Sequence, residues 1–209
     1  RNWRGELREG FVFLRDAPLL RTLAWTTGFW NLFHQMVMIA LVLHVQETLG
    51  LGAQAYGLVL AGGAVGGVLG SLLGERVAGL LGPARTMQWM LAASPLCFLV
   101  VAVAPGPWTI AVALGVLDLT GLIWNVVSVS TRQRMIPDAL MGRVNSLYRL
   151  LAWGMMPVGL ILSGLLVSGS ELLLSRGAAL TVPFWAAAIG GLLLTLVAWR
   201  GLAQGFPAP

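Results

Sequence analysis

The chain has 209 residues, of which 57% are hydrophobic and only 10% charged, with a net charge of +5. That is too little charge to solvate the surface of a soluble domain of this size, and no run of basic residues forms a solvated face, so a soluble protein and a nucleic-acid partner are both argued against. A single cysteine, Cys97, leaves no disulfide framework.

The leader comes first. Trp3, Leu7, Phe11 and Leu14 recur at helical spacing, with Arg1, Arg4, Arg8 and Arg15 along one flank. This predicts a cytoplasmic amphipathic linker helix over residues 1–18, lying in the membrane interface with its arginines toward lipid phosphates; the alternative is a soluble helix packed on another domain. It is charged rather than apolar, unlike a secretory signal. Asp16-Ala17-Pro18 marks a break before the next helix. The first residue is Arg rather than Met, so a piece of a longer chain is expected.

Six apolar runs follow, at 22–45, 56–73, 87–104, 108–130, 150–167 and 178–199. Each approaches the ~20 residues a helix needs to cross a ~30 Å hydrocarbon core. In the first run Thr27, Asn31, His34, Gln35 and Met38 share one arc. The second carries Gly62, Gly66, Gly70 and Gly74 at every fourth position, with Gly63 and Gly67 alongside; such a stripe serves close helix packing against a partner left open. Cys97 falls inside the third run. In the fourth, Asp118, Gly121, Asn125 and Ser128 share a face. Asp118 lies near the midplane, where a carboxylate costs about 2.5–3.5 kcal/mol on insertion scales and must face a bundle interior or a wet cavity. After this run comes a loop with Pro137-Asp138, where one helix stops and another starts with Asp138 as its N-cap. Arg143 and Arg149 follow, placed to snorkel to the interface. A bundle over 19–200 and a tail over 201–209 complete the organisation.

Arginine sets the topology. Arg1, Arg4, Arg8, Arg15, Arg21, Arg76, Arg85, Arg132, Arg134, Arg143, Arg149 and Arg200 all fall on one side of the six-run pattern, and only Arg176 falls on the other. Basic residues mark cytoplasmic loops, so both termini are expected in the cytoplasm, with the protein in the cell membrane.

The string Trp124, Asn125, Arg132, Gln133, Pro137, Asp138, Gly142, Arg143, Val144, Ser146 and Arg149 resembles the drug-and-siderophore exporter branch of the major facilitator superfamily, the group with macrolide efflux proteins and enterobactin exporters. There the matching string lies between the tenth and eleventh helices. The segment 70–85 is similar to that family's glycine-and-basic loop after the eighth helix, keeping Gly70, Arg76, Gly82 and Arg85. It departs at Gly74-Glu75 and at Pro83-Ala84. The resemblance implies an all-helical fold of six spans, helices seven to twelve, with an N-terminal six-helix half on the same polypeptide. It implies further that the first and fourth spans line a central cavity.

The expected function is export of an amphipathic small molecule across the bilayer, by alternating access and proton antiport. Asn31, His34, Gln35 and Asn125 would contact substrate, with Trp30, Met38 and Trp124 as apolar walls. Asp118 would carry a proton or attract a cation. Arg76, Arg85, Arg132, Arg134, Asp138, Gly142, Arg143 and Arg149 would form the cytoplasmic loops and gate. No cofactor or metal is expected, since two histidines and one cysteine in separate elements fall short of a zinc site. The alternatives are a non-transporting membrane scaffold, which would need no polar midplane groups, and an importer or uniporter of the same fold. An intramembrane serine protease would need a glycine-framed serine partnered to His34 or His44, and no such spacing is present.

Overall fold

The computed structural model describes residues 3–206, and no strand occurs among them. The side chains of Arg1, Trp3, Arg4 and Leu7, on which part of the leader's expected amphipathicity rests, lie outside the described residues. A first helix, α1 (Trp3–Asp16), precedes α2 (Pro18–Leu43), which a π-helical turn (His44–Thr48) prolongs. Then come α3 (Ala53–Leu81), α4 (Pro83–Val103), α5 (Pro107–Met135) and α6 (Asp138–Ser170). The one-turn α7 (Arg176–Ala179) leads into α8 (Val182–Gly205). Six of these segments are long and apolar enough to cross a bilayer. The chain is a multi-pass membrane protein.

Proline writes the starts: Pro18, Pro83, Pro107 and Pro183 each occupy one of the first two positions of a spanning helix, where a missing N–H costs nothing. The helices outrun the apolar runs, which corrects the loop assignments. Residues 70–81 are the last turns of α3, and the connection to α4 is Gly82 alone, whose φ of +77° suits glycine. Arg76, Arg85, Arg132, Arg134, Gly142, Arg143 and Arg149 are therefore helical, not loop, residues. Arginine ends a hydrophobic run without ending a helix, since its helix propensity is high. Asp138 is the first residue of α6 rather than its N-cap; Pro137 takes that place and no side-chain cap bond forms. There its carboxylate still complements the positive end of the helix. At the other terminus α8 runs on to Gly205, so most of the expected tail is helix.

The helices pair in a regular way. The most extensive contact is α3 with α5, then α2 with α6, α4 with α8, α4 with α5 and α2 with α8. Number the six spans in order and exchange each with the one three further on. The set of pairs then maps onto itself: α3–α5 becomes α6–α2, α4–α5 becomes α8–α2, and α4–α8 is unchanged. The outermost spans obey the same exchange. In α3 and α6 only 28% and 22% of the most apolar window is buried, against 44 or 50% in the others.

The glycine stripe finds its partner within the chain. Gly62, Gly66 and Gly70 face the backbone of Ala111, Gly115 and Leu119 on α5, and Gly74 faces Val126. The related crossing repeats the device with residues less conspicuous in sequence. On α6, Gly159 lies against the Leu32 carbonyl of α2, and Ser163 donates to the Met36 carbonyl oxygen at 2.9 Å.

Two large apolar cores fill the bundle, with a small third cluster of Val167, Ala179 and Leu180 where α6 meets α7. One gathers Met36, Leu41, Phe98, Ile110, Leu117 and Phe184; the other gathers Leu20, Leu23, Met87, Tyr148 and Leu202. Trp30 and Phe33 touch both, so the polar residues of α2 sit at the level where the cores meet. Rather than lying free in the interface, α1 docks on α6. Gly10 allows the approach to Arg143 and Leu147, Leu14 is buried, and Arg143 donates to Glu9 at 2.5 Å. Phe11 and Val12 stay exposed on its outer side. At the opposite end Arg176, the one arginine off the majority side, is held by Glu47 and Glu171. The exception to the arginine asymmetry is thus balanced by two carboxylates.

Candidate functional site

A cleft of about 390 Å³ opens between α2, α4, α5 and α6. That lies within the range of small-molecule pockets. From α2 it takes Thr27, Trp30 and Asn31; from α5, Asp118, Gly121, Trp124, Asn125, Ser128 and Arg132; from α6, Tyr148, Arg149 and Trp153. Thr27 and Asn31 of the first polar arc therefore share one space with Asp118, Gly121, Asn125 and Ser128 of the second.

At mid-span, Nε2 of His34 lies 3.7 Å from Oδ1 of Asp118. This is too long for a hydrogen bond, but it makes the imidazole and the carboxylate neighbours. The side chains keep 20% and 33% exposure, so neither is sealed inside the bundle. Their seats are built by neighbours. The His34 ring stacks on Trp30, one turn earlier, with centroids 4.9 Å apart and planes 18° from parallel. Trp30 is fixed in turn by donating its indole N–H to Ser94 Oγ at 2.8 Å. Gly121 leaves room for that ring: a Cβ there would meet it at 3.3 Å. Asp118 rests against Gly63, where any side chain would strike the carboxylate. The glycine face of α3 thus makes space for an acid as well as for a helix.

Toward the arginine-rich end the cleft floor is a hydrogen-bonded cluster centred on Tyr148. Its hydroxyl lies 2.8 Å from Thr27 Oγ1 and 3.2 Å from Ser128 Oγ, and it donates to the Leu23 carbonyl at 3.3 Å. The Trp124 indole N–H donates to Thr27 Oγ1 at 3.2 Å. The Arg132 guanidinium carbon stands 3.9 Å above the Tyr148 ring centre, while its Nε and Nη1 donate to the Ser128 carbonyl and to Asn145 Oδ1, each at 3.3 Å. Arg149 lies over Trp153 at 5.5 Å.

The expected site residues divide. Trp30, Asn31, Asp118, Trp124 and Asn125 line the cleft, and His34 reaches it through Asp118. Gln35 and Met38 do not line it, and Met38 packs against the core around Leu117 and Phe184. Asn31 is 8% exposed and donates its amide to the Ala152 carbonyl at 2.9 Å, so it first joins α2 to α6. Arg132 and Arg149, assigned to a gate from sequence, line the cleft itself, whereas Arg76, Arg85, Arg134, Asp138 and Gly142 are exposed away from it. Sequence reasoning passed over Tyr148 and Ser94. Tyr148 had a signal available, as one of only two tyrosines in the chain and lying between the motif positions Ser146 and Arg149.

No known protein family, curated protein or solved structure matches the chain.

Proposed function

We propose that the chain is one six-helix half, helices seven to twelve, of a major-facilitator-type secondary transporter that exports amphipathic small molecules by alternating access and proton antiport. One observation carries the reading: an imidazole and a carboxylate 3.7 Å apart at mid-span, on the wall of a polar cleft. Ionisable groups at that depth are expensive, and their common use is to move protons or ions. A scaffold would gain nothing from them. The exchange symmetry of the helix pairs supports the architecture, because two inverted three-helix repeats generate it and place a site at their interface. The apolar outer flanks of α3 and α6 leave a surface on which a further half could dock.

In this reading the indoles of Trp30 and Trp124 and the amide of Asn125 hold the substrate. His34 and Asp118 share a proton taken from outside and release it inside as the halves rock. No bond is made or broken, so no enzyme chemistry, cofactor or metal is invoked. Both termini lie in the cytoplasm of a cell-membrane protein, as the arginines require. The test is efflux of an amphipathic dye from cells expressing the full-length protein, with and without a protonophore. Efflux that collapses with the gradient is expected; efflux indifferent to it would remove the antiport mechanism.

A further inference from the structure

The arginine-rich end of the cleft has chemistry that proton coupling does not use. Arg132 and Arg149 both line it, each guanidinium placed over an aromatic ring, Tyr148 for one and Trp153 for the other. Cation–π stacking holds a charge in position without neutralising it. Among the described residues no carboxylate pairs with either arginine. Asp118 faces His34, Glu9 takes Arg143, Asp16 takes Arg15, and Glu47 and Glu171 share Arg176. Glu75 and Asp138 are exposed elsewhere.

Arg132 is half-buried and spends two N–H groups on neutral acceptors, Ser128 O and Asn145 Oδ1. A guanidinium carries five donors in a planar fork suited to an acid group. A half-buried cation without a counter-charge is costly, and an anion brought to it recovers that cost. Apolar wall lies next to the charge: Trp153 lies under Arg149, and Trp124 shares Thr27 with Tyr148, the ring beneath Arg132. Along α5, Arg132 is fourteen residues from Asp118, roughly 21 Å at ~1.5 Å per residue. An acid bound at the arginines is therefore well away from the carboxylate and does not compete with the proton.

We infer that this end of the cleft binds the acidic headgroup of an amphiphile, its carboxylate or phosphate on Arg132 and Arg149 and its apolar body against the tryptophans. The inference rests on the transporter reading for its meaning as a substrate class, but as a binding site it stands without any gradient. The headgroup could belong to a free organic acid or to an anionic phospholipid.

The probe is pyrenebutyrate, whose pyrene accepts energy from tryptophan, with pyrenebutanol as its neutral match. The intact protein is placed in phosphatidylcholine nanodiscs and excited at tryptophan. Pyrenebutyrate is expected to give a saturable transfer signal, and pyrenebutanol only the unsaturable signal of membrane partition. Arg149→Gln, which removes no hydrogen bond among the described residues, is expected to unfold at the wild-type temperature and to weaken pyrenebutyrate roughly tenfold, the scale of a lost charge-assisted contact. Arg132→Gln is expected to weaken it at least as much. Nanodiscs containing phosphatidylglycerol assign the source: weaker pyrenebutyrate binding there marks a phospholipid as the natural occupant, and unchanged binding marks a free acid. Saturable binding of the alcohol equal to the acid, or wild-type affinity in both arginine variants, would overturn the inference. Gradient-dependent export of a neutral or cationic dye would be untouched by that failure, so the two readings fail separately.

Discussion

Gly66 offers the sharpest test of how the bundle is held. A methyl added there falls on the Gly115 carbonyl group of α5, touching oxygen, carbon and Cα together. These are backbone atoms and cannot rotate aside, so α3 and α5 must part. Gly67, the next residue, differs: its Cβ would meet only the Leu122 side chain, at 3.7 Å, an ordinary contact. Both substitutions to alanine recover up to about 1 kcal/mol of helix propensity. For Gly67→Ala that gain is the whole effect, so neutrality or slight stabilisation is expected. For Gly66→Ala it is outweighed. Overpacking costs about 1–3 kcal/mol or more, and even a gap of ~0.5–1 Å forfeits a quarter to a half of each contact along the stripe. We expect a net loss of about 2 kcal/mol, and a larger one for Gly66→Leu. Unfolding in mixed detergent–SDS micelles, followed by tryptophan fluorescence, measures the difference. Equal midpoints for Gly66→Ala and Gly67→Ala would refute the close crossing.

Other expectations follow from the same coordinates. Tyr148→Phe deletes the hydroxyl that joins Thr27, Ser128 and the Leu23 carbonyl, and should cost roughly 0.6–1.7 kcal/mol, the range of interhelical hydrogen bonds in membranes, in the same unfolding assay; an unchanged midpoint would show the cluster contributes nothing. For topology, a membrane-impermeant maleimide applied to intact cells should label Leu173→Cys, in the 90% exposed turn before α7, and leave Ala203→Cys, on exposed α8, unlabelled. The reverse pattern would invert the protein. Cys97 is buried and should not report in either experiment.

The spans were legible because bilayer thickness acts on the sequence directly: a run of apolar residues is the physical requirement for crossing. Helix ends were less so. Hydropathy marks where the hydrocarbon stops, and α3 and α5 continue as helices through Arg76 and Arg134 because backbone hydrogen bonding is indifferent to that boundary. The polar arcs of α2 and α5 could be read from 3.6-residue periodicity, but periodicity does not say how far along the arc the cleft extends. Asn31 stays on it and Met38 falls into the core. The Gly62–Gly74 stripe announced close packing, yet its partner was invisible, because Ala111, Gly115 and Leu119 meet it through backbone that any residue supplies. Tyr148 was missed for a related reason. Its partners come from α2 and α5, at separations only the tertiary fold creates.

The central claim is that the His34–Asp118 pair couples protons to export. Asp118→Asn keeps the shape and hydrogen-bonding capacity of the side chain and removes its titration, so it isolates that role. In proteoliposomes containing the full-length protein, substrate efflux is followed as the size of the imposed proton gradient is varied. The wild type should transport faster as the gradient steepens. The Asp118→Asn variant should fold and bind substrate as before but show a rate flat with the gradient. Gradient-driven efflux by that variant at the wild-type rate across the whole range would contradict the account.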